Sequence, residues 1–190
     1  MSTTMTPAAA DAATRLANDA ARAAAAALRH RRATLAQRLI DLAPSAVEAV
    51  DWDALDQAPD WLALPDASFL ILQARLGALL HRPAMRLWID GPRLVAVCAL
   101  LGDSVFDDLL AQRDTVMPIG LAPLEPIESA AQVGPRLRAA GVAVLLAALP
   151  PGTLRDAVCK ALAPIEPSRM SAELAETLIA RARALGQGGR

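Results

Sequence analysis

The segment from Asp66 to Pro83 constrains the fold most strongly. Phe69, Leu72, Leu76, Leu79 and Leu80 recur there at three- and four-residue steps, the spacing of one face of an α-helix. Asp66 is placed to cap the start of this helix, and Pro83, which has no N–H and crowds the preceding turn, to end it. Pro83 can then open a short helix carrying Met85, Leu87, Trp88 and Ile89 as far as the turn Asp90-Gly91-Pro92. A further helix follows with Leu94, Val97, Cys98 and Leu101 on its apolar face and Gly102 as its stop. Asp103 is placed to cap a short one reaching Leu110. These closely connected helices are expected to form the structural centre.

The flanking segments follow the same pattern. Residues 8–42 contain no Pro or Gly and are rich in Ala, Leu and Arg, so a long helix is expected. Its apolar stripe Leu28, Leu35, Leu39 and Leu42 occupies only the second half. The alanines before it bury little area, and the first 20 or so residues are expected to fray. Residues 44–65 form an acidic connector with Asp51, Asp53, Asp56, Asp60, Trp52 and Trp61. Residues 113–132, broken by Pro118, Gly120, Pro123 and Pro126, read as an irregular connector, the best candidate for a hinge or partner-contact loop. Gly134-Pro135 is expected to open a helix running to Leu149, with a buried strand at Val142-Ala143-Val144 as the alternative. Thr153 is placed to cap the next helix, and Ser168 or Ser171 a final one bearing Leu174, Leu178, Ile179 and Leu185. The expectation is an all-α protein of about seven helices with Pro-rich connectors and minor strand content as the open alternative. It divides into an N-terminal helix (1–43), a helical core (44–185) and a disordered tail (186–190).

The chain is 54% hydrophobic with a mean hydropathy of +0.32, which excludes a disordered composition and raises the question of a membrane span. The longest apolar run, 139–149, falls well short of the roughly 20 residues a spanning helix needs and is closed by Pro150 and Pro151. The first seven residues carry no positive charge and lead into no leucine-rich stretch, so a secretory signal is not expected. Lys160 is the single lysine among 19 Lys and Arg residues, and coding-level base composition could produce that bias and the alanine richness alike. A net charge of −1 and a pI near 6.1 argue against nucleic acid as a partner.

The residues of catalysis are sparse. His30 lies inside Arg29-His30-Arg31-Arg32, and His81 ends a leucine-rich helix. Neither stands in a recognisable acid–base or nucleophile motif. Cys98 and Cys159 lie far apart in unlike contexts and read as buried, reduced thiols. No glycine spacing suits a phosphate loop, and the acidic connector lacks the Gly and terminal Glu of a calcium loop. No catalytic, cofactor or metal site is expected, and a Cys or His enzyme remains the third-ranked reading.

Two charged groups stand out. The basic cluster Arg29, Arg31, Arg32 and Arg38 and the acidic connector are each either solvated surface or a protein contact, including contact with one another. Trp61 and Trp88 read as core anchors, whereas Trp52, among charged neighbours, is the tryptophan to expect at an interface. The protein-contact candidates are Arg29, Arg32, Trp52, Asp53, Asp56 and Asp60.

Taken together, Trp61-Leu62-Ala63-Leu64-Pro65, the run FLILQARLGALL at 69–80 and the run PAMRLWIDGP at 83–92 resemble the SctK/YscK family, in the style of its Hrp-type members. These are accessory proteins of bacterial type III secretion systems. The resemblance covers 61–110, with a weaker echo at 141–162, and consists of leucine patterns rather than catalytic signatures. It implies a non-enzymatic, cytoplasmic adaptor of the sorting platform, peripheral to the inner membrane. The implied partners are the Q-subunit pod protein, the cytoplasmic domain of the inner-membrane ring protein and the L stator, with no nucleic acid and no membrane insertion. A small helical chaperone or regulator is the alternative.

Overall fold

A computed structural model describes residues 7–42, 55, 58–112, 124–162 and 170–186. The expected apolar stripes appear in it as seven α-helices: α1 (Pro7–Leu42), α2 (Asp66–Met85), α3 (Gly91–Leu101), α4 (Asp103–Ala111), α5 (Ala130–Ala148), α6 (Thr153–Leu162) and α7 (Ala172–Ala184). A short 3-10 helix, Asp60–Ala63, precedes α2. No strand occurs among the described residues, and Val142-Ala143-Val144 lies within α5. The expected all-α class is the observed one.

The structural centre is the crossing of α2 with α5, against which α3 and α7 also pack, rather than the run of helices from 66 to 110 alone. Leu76, Leu137, Val144 and Leu145 are fully buried there. The helices approach until main chain meets main chain. A Cβ on Gly77 would overlap the Leu137 carbonyl, and one on Gly141 would overlap the Gln73 carbonyl. Each helix supplies a glycine where the other supplies a backbone carbonyl, four residues apart on each. Only a residue without a side chain permits that approach.

Five boundaries differ from the sequence expectation. Pro83 does not end α2, and no separate helix carries Met85 to Ile89. Pro83 removes only the bond to the Leu79 carbonyl, in the last turn. Met85 is buried, Arg82 donates to the Gln112 carbonyl at 3.2 Å, and Arg86 N–H donates to the Arg82 carbonyl at 3.1 Å, so the final turn is held from several sides. Asp66, Asp103 and Thr153 are not caps. Pro65 and Gly102 hold the cap positions of α2 and α4, and the two carboxylates sit in the first turn, favourably placed at the positive end of the helix dipole. Thr153 is already part of α6, and the Gly152 carbonyl accepts that helix's first bond, from Asp156 N–H at 3.1 Å. Gly134-Pro135 does not open α5, which begins at Ala130, where the Gln132 side chain accepts the Glu128 N–H at 2.9 Å and Val133 is already in the core. The carbonyl that Pro135 leaves unpaired belongs to exposed Ala131. The connector is irregular at 124–128 as expected, and 113–123 lie outside the described residues. Gly102, at φ 87°, stops α3, and Ser171 Oγ caps α7 by accepting from Leu174 N–H at 3.3 Å, both as expected.

The two halves of α1 behave differently. Every residue from 14 to 30 is exposed, including Leu28, which the sequence places on the buried stripe; burial begins at Leu35. The second half closes over the segment leading into α2. Arg38, buried, donates to the Leu62 carbonyl at 2.7 Å and to the Leu64 carbonyl, pairs with Asp66 at 2.6 Å and lies 4.7 Å over the Phe69 ring.

Candidate protein-binding surface

Asp90 caps the start of α3 by accepting from Arg93 N–H, Pro92 fits its first turn, and Gly102 ends it. Arg93 is its only charged residue, so the helix is apolar around nearly its whole circumference. A helix of that kind is ordinarily enclosed on all sides. Here only Val97 and Leu101 are buried, while Val95 is 69% exposed. The turn leading into the helix extends the surface, with Leu87 80% and Ile89 96% exposed. Single exposed aliphatics are common on any protein, but three between Leu87 and Val95, beside a helix with no polar face, mark a candidate interaction site.

The patch is rigidly framed. The Arg93 guanidinium lies 4.8 Å over the half-buried Trp88 ring, donates to the Ile127 carbonyl at 2.7 Å and pairs with Asp90. Desolvation alone would raise the Asp90 carboxyl, but the Arg93 side chain and N–H outweigh it and hold the carboxyl below its ordinary value. At the other end, Cys98 lies half-buried next to Asp103 and Asp107. Burial, then hydrogen bonding to Asp103 and the charges of both aspartates, push its thiol up.

The basic cluster and the acidic connector meet within the chain, one of the contacts the sequence allows. Among the described residues, Arg31 and Arg38 of the basic cluster reach the acidic connector: Arg31 donates to the Ala58 carbonyl and pairs with Asp60 at 3.1 Å, and Arg38 donates to the Leu62 and Leu64 carbonyls. Asp60 therefore serves an intramolecular contact, while Arg29 and Arg32 are exposed on α1. Trp52, Asp53 and Asp56 lie outside the described residues. Trp61 is core, stacked on Phe69 at 6.2 Å, as expected for it.

His81 is buried within α2 rather than at the surface or a helix end. Burial and then the Arg136 charge lower its pKa, so it is neutral near pH 7. Cys98 and Cys159 are each half-buried, not fully buried, because α3 and α6 leave one flank open. Among the described residues no group of three or more His, Cys, Asp or Glu could hold a metal ion, and no helix is long and apolar enough to cross a membrane.

Leu87, Ile89 and Val95 are the surface residues that sequence reasoning missed. The available signal was the composition of 91–101, which has no polar face to turn toward water. Neither a protein-family model, nor a curated protein, nor a solved structure matches the chain.

Proposed function

We propose that this protein is a non-enzymatic adaptor that works by binding other proteins, in the role the resemblance to the SctK/YscK family implies. In that role it is a cytoplasmic subunit of a type III secretion sorting platform, joining the inner-membrane ring protein to the Q-subunit pods. The observation that supports a binding role is the outer side of α3, where no described element covers an apolar helix and Leu87, Ile89 and Val95 are exposed. A rigid helical body with such a face is suited to holding a partner in a defined orientation.

The test is co-purification of the full chain with the Q-subunit homologue and with the ring protein's cytoplasmic domain from the same organism, together with a secretion assay after gene deletion. Capture of either protein and loss of secretion are expected. Failure to capture both, with secretion intact, would overturn the proposal.

A further inference from the structure

The composition of the α3 face and its border specify the kind of partner that fits it. The outer side of α3 presents Val95 and Ala99, with Ile89 immediately before its first turn, and so continues over the length of an 11-residue helix. At a rise of 1.5 Å per residue that is about 16 Å, enough to seat roughly three turns of a second helix. The backbone of α3 is already paired within the helix. A chain laid on it receives no main-chain hydrogen bonds and must satisfy its own, which favours a helix over an extended strand.

Charge selects further. Asp103 opens α4 two residues after Leu101 ends α3, and Asp107 follows one turn later; both are exposed, and neither is ion-paired among the described residues. A second copy of the same face could not neutralise them, because the one cation of α3, Arg93, is already held by Asp90, Trp88 and the Ile127 carbonyl. We infer that the outer face of α3 receives an amphipathic helix of a partner protein, its apolar stripe on Ile89, Val95 and Ala99 and its basic residues at Asp103 and Asp107. This inference rests on the adaptor reading and adds the chemistry of the partner.

Two fluorescent peptides about four turns long, with the same leucine stripe and either Lys or Glu at the flanking positions, test it by anisotropy against the full chain. The Lys peptide is expected to bind at least about tenfold more tightly than the Glu peptide. Asp103→Asn with Asp107→Asn should abolish that preference, and Ile89→Asp or Val95→Asp should weaken both peptides while leaving the helical circular-dichroism signal unchanged. No binding, no preference, a preference that survives the double Asn variant, or a concentration-dependent dimer of the chain disrupted by Ile89→Asp would overturn the inference. If the Q-subunit homologue is captured equally by the Ile89→Asp chain, this site fails and the adaptor reading stands. If the peptide preference holds and neither platform protein is captured, the adaptor reading fails and the site stands.

Discussion

Gly77 of α2 lies against the main chain of Leu137 of α5, and Gly141 of α5 repeats the contact against Gln73 of α2. Replacing a helical glycine by alanine ordinarily gains about 1 kcal/mol of helix propensity. Here the new methyl would occupy a position taken by a carbonyl, and neither backbone can move without displacing its whole helix. Gly77→Ala and Gly141→Ala are each expected to cost a net ~3 kcal/mol or more, read as a lower urea midpoint. Gly134→Ala is the control: its Cβ would meet only the end of the flexible Arg138 side chain at 3.3 Å, so stability should hold or rise slightly.

Arg38 is 8% exposed at its side chain, whereas its partner Asp66 is 92% exposed. The ion pair itself is therefore screened, and the bonds to the Leu62 and Leu64 carbonyls and the stacking on Phe69 carry the contribution. Arg38→Met should cost about 2–4 kcal/mol in chemical denaturation, and Asp66→Asn less than about 1 kcal/mol. Arg38→Lys should recover little, because an ammonium cannot span two carbonyls and a ring together.

His81 is 5% exposed, and its folded pKa lies below the ordinary 6.5. The folded state thus binds the proton less readily than the unfolded state. The resulting stability is fully present above pH 6.5 and is lost as pH falls from there toward the lowered folded value. Urea midpoints measured across this range should fall with pH in the parent and less steeply in His81→Gln. Arg136→Gln should reduce the slope to a smaller extent, since burial is the larger cause.

Cys98 should alkylate slowly with iodoacetamide near neutral pH, because the thiolate is the reacting species and burial together with Asp103 disfavours it. In a Cys159→Ser background, mass spectrometry should find faster labelling in Asp103→Asn than in the parent, with further acceleration on unfolding.

Leu87→Asp and Ile89→Asp remove apolar groups that already face water, so each should change folding stability by less than about 0.5 kcal/mol. Met85→Ala, a few residues earlier but 1% exposed, should cost about 2–5 kcal/mol. The pair of results, followed by thermal melting, separates surface from core along one short stretch.

Helical character was legible because periodicity is local. Leu72, Leu76 and Leu79 on α2, and Leu178 and Ile179 on α7, lie buried where their spacing puts them. Gly102 and Ser171 end and begin helices through chemistry confined to a single turn. The candidate contacts were less legible. The basic cluster and the acidic connector do meet, but how each arginine reaches the connector depends on how α1 lies across the segment before α2, which brings Arg31 to Asp60 and Arg38 to the Leu62 and Leu64 carbonyls.

The sequence by itself therefore determined an all-α chain, most of its helices and the scarcity of His and Cys, since each follows from short-range spacing or from inventory. Tertiary structure alone decided the rest. It carried α2 through Pro83, because Arg82 and Met85 are held by groups distant in sequence. It made Gly77 and Gly141 a crossing point, because only the meeting of two helices removes the room for a Cβ. It also left Ile89 and Val95 in water, because an apolar residue becomes core only where another element arrives to cover it, and none of the described elements covers the outer face of α3.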